Sequence, residues 1–259
     1  MPGTLLSASP YGPAAALFHS AARRLQLLLL LVAAWAAAAA PAPAAPGAAP
    51  PRAEMLVLAF GDSLTAGYGL RPGESFPARL EAELRRQGRA VRVVNAGVSG
   101  DTTAQGRARL SWVLRGLPRA PDVAIVALGA NDMLRGLPPE QARANLDAIL
   151  SELKGRGVPV VLAGMLAAPN LGPEYQRAFN AIFPDLARRH GAVLYPFFLN
   201  GVAGNRARLL ADGMHPNPEG VAVMVAGVAP LVARELDRAA ARAPRPAPRA
   251  GAAVAVPAR

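Results

Sequence analysis

Five short apolar runs, each followed by a longer stretch with helical spacing, constrain this chain more than any other feature. Met55 to Phe60, Val91 to Asn95, Val123 to Leu128, Val158 to Gly164 and Ala192 to Tyr195 read as strands. Phe76 to Gln87, Thr103 to Leu117, Pro139 to Lys154, Glu174 to His190 and Pro218 to Arg238 read as helices. The first of these carries Phe76, Leu80 and Leu84 one above the other on a single face. Strands that are apolar on both faces and separated by helices pack as a parallel sheet covered on both sides, so the expected class is α/β. Ligands of such sheets bind at the carboxyl ends of the strands, near the point where strand order reverses. The loops after the strands are therefore where chemistry is sought.

The body that alternates in this way runs over residues 54–238 and leaves two tails. In residues 1–53, Arg23 and Arg24 precede Leu25 to Ala40, in which Gln26 is the one polar residue, and Ala-Pro repeats follow to Pro51. A charged start, an apolar centre and a small-residue zone describe an export signal and linker, and the apolar run is shorter than the ~20 residues a membrane span needs. An uncleaved anchor is the competing reading, and the arginine pair alone is a weak sign of twin-arginine export. The expected location is periplasmic or secreted. Residues 239–259 are Ala, Pro and Arg without a usable apolar period, which predicts disorder.

Cysteine is absent, so disulfides, thiolate metal sites and a lipid-modified cysteine are excluded. The net charge of +11 resembles that of a nucleic-acid binder until it is located. Arg23, Arg24, Arg52, Arg242, Arg245, Arg249 and Arg259 lie in or beside the tails, and taking those seven away leaves +4 on a body whose arginines are scattered among acids. No basic face results, and nucleic-acid binding is rejected as the main function.

The loop after the first strand reads Gly61-Asp62-Ser63-Leu64-Thr65-Ala66-Gly67-Tyr68-Gly69. Ser63 stands at the start of a following helical turn, where free backbone amides favour an anion; a serine there can be a nucleophile or an ordinary helix cap. After the second strand comes Asn95-Ala96-Gly97-Val98-Ser99-Gly100-Asp101-Thr102-Thr103, and after the third Gly129-Ala130-Asn131-Asp132. Taken singly, each loop is more often a structural turn or cap than a site. Taken together, the amides of Ser63 and Gly97 and the side-chain amide of Asn131 supply the donors that a tetrahedral oxyanion requires.

A base to match is a histidine, and there are three. His19 belongs to the leader, and His190 ends a long helix beside Arg188 and Arg189, where solvation and the helix dipole explain it. His215 lies in Asp212-Gly213-Met214-His215-Pro216, just before the last helix. Asp212 can fold back over the intervening glycine to accept from Nδ1, leaving Nε2 for a serine proton.

Gly61-Asp62-Ser63-Leu64, Gly97, Gly129-Ala130-Asn131-Asp132 and Asp212-Gly213-Met214-His215-Pro216 stand in the order of the four sequence blocks of SGNH (GDSL-type) hydrolases, which the chain resembles from about Met55 to Arg238. Asn95 to Leu110, Leu134 to Leu137, Phe179 to Leu186 and Pro196 to Phe198 bring it nearest to the periplasmic acyl thioesterase I, protease I and lysophospholipase group and the arylesterases beside it. The resemblance implies a flavodoxin-like three-layer α/β/α sandwich around a five-stranded parallel sheet, with no metal or organic cofactor. It also implies Ser63 as nucleophile, His215 as base, Asp212 as its orienter, and Ser63, Gly97 and Asn131 as the oxyanion hole.

The reaction expected is acyl transfer through an acyl-enzyme, on an ester, thioester or lysolipid. The Gly-x-Ser-x-Gly elbow of the α/β-hydrolases is not present around Ser63. Asp62, Met133, Leu134, Leu137, Pro169 and Leu171 are the residues expected at the substrate; the apolar ones among them suit either an acyl groove or a cap on the core. Membrane contact is expected only through the export signal or transiently at a lipid substrate. Three rivals remain: a carbohydrate O-deacetylase of the same superfamily, which 5% aromatic content supports poorly, a non-catalytic binder of fatty acids or lysolipids, and a flavin-phosphate site on the first loop.

Overall fold

The computed structural model describes residues 54–242; the expected export signal and linker, and the tail beyond Arg242, lie outside the described residues. The strands are β1 (Met55–Gly61), β2 (Val91–Gly97), β3 (Val123–Ala127), β4 (Val160–Ala163) and β5 (Val193–Tyr195). They form one sheet in the order β2-β1-β3-β4-β5, every pair parallel. The helices are α1 (Ser63–Ala66), α2 (Phe76–Arg86), α3 (Thr103–Gly116), α4 (Ala130–Leu134), α5 (Pro139–Gly155), α6 (Pro173–Asn180), α7 (Ile182–His190) and α8 (Pro218–Arg242). Short 3₁₀ turns lie at Pro169–Leu171 and Arg206–Arg208. This is the α/β class expected from the alternation.

The sheet is covered as its sequence demands. β1 and β3 are buried on both faces, which is why their residues are apolar without alternation. On one side α2 packs against α8, inserting Phe76, Leu80 and Leu84, all fully buried. On the other, α5 lies between α3 and α7 and contributes Leu146, Ile149, Leu150 and Leu153. Each such side chain contributes about 1.5–3 kcal/mol by leaving water, and together they fix the sheet that carries the loops.

Two helical expectations are corrected. The single helix expected over Glu174 to His190 is two, α6 and α7, with the break at Ala181. Pro184 is the cause: it lacks an N–H, and its ring would press on the carbonyl of Asn180, four residues back, so α6 stops there. The last helix runs past Arg238 to Arg242, because Ala239, Ala240 and Ala241 are strong helix formers and the next proline is Pro244. Among the described residues, no helix is long and apolar enough to cross a membrane.

β1 leads to β2 on one side and β3 pairs on its other side, so strand order reverses at the carboxyl end of β1. The chain leaving β1 there is Asp62-Ser63.

Candidate active site

The site is assembled around the exit of β1. Asp62 caps α1 with its carboxylate, which accepts from the Leu64 N–H at 3.0 Å, and Ser63 is therefore held as the first helical residue. Its hydroxyl oxygen lies 3.0 Å from His215 Nε2, although the two residues are 152 positions apart.

His215 is carried by a closed loop. Leu209 and Pro216 pair across it, and the Leu210 N–H donates to the His215 carbonyl at 2.8 Å. Inside this loop the Asp212 carboxylate accepts from the Met214 and His215 amides at 2.9 and 3.0 Å, while its other oxygen is 2.7 Å from His215 Nδ1. The hydrogen bonds from the two amides, then that of the imidazole, push the Asp212 carboxyl down to about 2. An ionised carboxylate at Nδ1 keeps the proton on that nitrogen and leaves Nε2 to accept from a hydroxyl. Alcohol, imidazole and carboxylate thus line up in the order required for moving a proton off Ser63.

A cavity of about 230 Å³ opens above Ser63. Ser63, His215, Gly100 and Asn131 lie on its polar side, and Leu64, Met133, Leu134, Met165, Leu199 and Met214 give it an apolar wall. The Asn131 amide donates to the Asp101 carbonyl at 3.0 Å, which fixes its orientation and leaves its second N–H available.

The loop between β2 and α3, which carries Gly100, is held by Arg109 on α3. Its guanidinium donates to the Gly61 carbonyl at 2.8 Å, to the Ala96 carbonyl at 2.9 Å and to the Asp101 carboxylate at 2.6 Å, and lies 4.2 Å over the Phe60 ring. One side chain thereby ties together the ends of β1 and β2 and the start of α3. Asp132 adds a second tie, accepting from the Thr103 amide and hydroxyl at 2.8 and 2.6 Å.

Five placements differ from the sequence reading. Gly97 is not in the cavity: it is the last residue of β2, paired with Gly61, and its amide donates to the Asn95 side chain at 3.0 Å. It is glycine because a Cβ would come within 2.3 Å of the Ala66 nitrogen on α1. The backbone amide beside Ser63 and Asn131 is that of Gly100, which lines the cavity, has φ +87° and, among the described residues, has no hydrogen-bond partner for its N–H.

Asp62 does not line the cavity. It is 1% exposed, spent on capping α1, and burial followed by the nearby Asp101 and Asp132 carboxylates pushes its carboxyl up to about 7. Leu137, Pro169 and Leu171 stand outside the cavity: the Leu137 carbonyl accepts from the Tyr175 hydroxyl at 2.8 Å, Pro169 is exposed, and Leu171 packs on the core. Met133 and Leu134, by contrast, are in the wall.

Sequence reasoning missed Gly100, Tyr68, Met165, Leu199 and Met214 as cavity residues. Gly100 and Tyr68 were both within reach, since the first sits in the same loop as Gly97 and the second is an aromatic between two glycines. Leu199 carries no such signal.

A doubly wound parallel sheet with a serine at the exit of its switch-point strand, next to a histidine that is itself bonded to an aspartate, has the fold and site of a serine hydrolase. Comparison with known proteins narrows that class. Residues 59–223 match the GDSL-like Lipase/Acylhydrolase family, and the chain belongs to it. It is similar to an arylesterase of Vibrio mimicus, 40% identical over 66% of this chain and 85% of the relative. It is also similar to thioesterase 1/protease 1/lysophospholipase L1 of Escherichia coli K12, 38% identical over 62% of this chain and 75% of the relative. Among solved structures, the SGNH-hydrolase family esterase AlinE4 matches with a TM-score of 0.61 at 51% identity, covering 70% of this chain and 96% of the esterase.

Proposed function

We propose that this protein hydrolyses carboxylic esters and acyl thioesters through an acyl-enzyme on Ser63. One observation carries the reading: Ser63 Oγ lies 3.0 Å from His215 Nε2 while His215 Nδ1 lies 2.7 Å from an anchored Asp212 carboxylate, at the mouth of an apolar cavity.

His215 takes the Ser63 proton as the oxygen attacks the carbonyl carbon. The resulting oxyanion is held by the amides of Ser63 and Gly100 and by Asn131 Nδ2. Collapse expels the alcohol or thiol, which receives the proton from His215, and water repeats the sequence on the acyl-enzyme. Asp212 stays ionised throughout and orients the ring rather than accepting its proton.

The wall of Leu64, Met133, Met165 and Leu199 suits an acyl or aryl group, and about 230 Å³ is small beside the ~300–1,000 Å³ of pockets for drug-sized ligands. Short to medium acyl groups in an open groove are therefore favoured over a deep tunnel. The names of the two relatives support aryl esters, acyl thioesters and lysolipids as the first substrates to try. The test assays the purified protein and its Ser63→Ala variant against nitrophenyl esters, acyl-CoAs and lysophospholipids. Activity with the first and none with the second is expected; equal rates would overturn the reading.

The leader read in residues 1–53 supports export to the periplasm or medium, with residues 54–238 as the hydrolase domain. N-terminal sequencing of the protein recovered from cells tests this, and a form still beginning at Met1 would overturn cleavage.

A further inference from the structure

Tyr68 is exposed without being idle. It is 54% exposed and contributes no buried packing, yet its ring centroid lies 4.5 Å from that of His215, with 36° between the planes. Three features hold it there. Gly67 and Gly69 on either side have φ of +88° and +72°, which lets the chain project one side chain outward and turn back. The Tyr68 amide donates to the Ser63 carbonyl at 3.2 Å, tying it to the helix that carries the hydroxyl. Gly69 lies against Leu210, at the base of the His215 loop, where a Cβ would come within 2.7 Å of the leucine side chain. A conformation held this firmly for an exposed ring has no return in core stability.

We propose that Tyr68 is a positioning residue for His215: its ring face holds the imidazole against Ser63 and favours the positively charged ring that forms when the serine proton is taken. The first effect restricts the imidazole on the side not fixed by Asp212. The second is a cation–π attraction that exists only while the ring is charged, so it strengthens between ground state and transition state. The inference rests on His215 being the base. The groups facing that ring are Asp212 on its own loop, the Ser63 hydroxyl on α1 and Tyr68 itself; among the described residues, no titratable side chain besides Tyr68 and His215 lines the cavity. Asp62 is buried beneath α1 and is common to every variant compared below.

The test records kcat and KM for a nitrophenyl ester against pH in wild type, Tyr68→Phe and Tyr68→Leu, with Ser63→Ala and His215→Ala alongside. Tyr68→Phe keeps the face and is expected to follow wild type. Tyr68→Leu is expected to melt with wild type, to lose about 3- to 10-fold in kcat with a smaller change in KM, and to move the acid limb of kcat/KM down by about half a pH unit. A Leu variant with the wild-type limb, a change confined to KM, or a Phe variant that behaves like Leu would each overturn the inference. If Ser63→Ala or His215→Ala retains full activity, it is the acyl-transfer reading that fails instead.

Discussion

Asn131 carries the sharpest consequence at the scale of one residue. Its Nδ2 is fixed by the Asp101 carbonyl and faces the same cavity as Ser63 and Gly100. Asn131→Ala is expected to lower kcat by about 10²- to 10³-fold, as loss of one oxyanion donor does, with KM little changed; steady-state kinetics on a nitrophenyl ester reads both. The neighbouring glycines separate differently. Gly97→Ala would drive a Cβ into α1, so its expected loss is in folded protein, seen as a lower melting temperature, rather than in turnover per folded molecule. The sequence marks the loops after β1 and β3 as polar interruptions at strand ends and the loop before α8 as an Asp-x-x-His turn; in the structure Ser63, Asn131 and His215 line one cavity and Asp212 is held against His215. The sequence could not say which of two glycines three residues apart faces the cavity. A glycine required because helix and strand touch and a glycine required for a left-handed turn are the same letter.

The element that turns these residues into a site is α1, four residues long and capped by a buried acid. Asp62 has its ordinary carboxyl behaviour in the unfolded chain, near 3.8, and is pushed up to about 7 by burial in the fold. Below 3.8 both states are protonated and the shift has no effect; as pH rises from there toward 7 the unfolded chain ionises first, and the fold loses stability relative to it. Asp62→Asn keeps an oxygen to cap Leu64 but removes the charge. The variant is expected to be more stable than wild type at pH 8, by on the order of 1–4 kcal/mol, and equal to it near pH 4; urea melts at the two values measure it. Asp212 acts in the opposite direction: it is held down to about 2, so its contribution is present above 3.8 and lost as pH falls through 2. Elements as such were legible wherever the apolar period was long, as in α2 and α5. The division of α6 from α7 was marked by Pro184 and hidden by a helical period that continues across it. α4 is one turn of helix, too short to show any period.

At the scale of the molecule, the order β2-β1-β3-β4-β5 is what lets residues so far apart in sequence meet, since each strand releases its loop on the same edge of the sheet. That arrangement also places the floor of the cavity in the core: Met165, just beyond β4, is 5% exposed and belongs to the hydrophobic cluster. Substrate size and fold stability are therefore coupled there. Met165→Ala is expected to destabilise the protein by about 2–5 kcal/mol, because the space left is only partly refilled. The same space admits a longer acyl chain, and each methylene it buries adds about 0.8 kcal/mol, or roughly four-fold in kcat/KM. Across a series of nitrophenyl esters from acetate to decanoate, the variant's optimum should move two or three carbons beyond that of wild type while its melting temperature falls. A lower melting temperature with the optimum unmoved would mean that the acyl group runs along the Leu134 and Met214 side of the groove rather than down onto Met165.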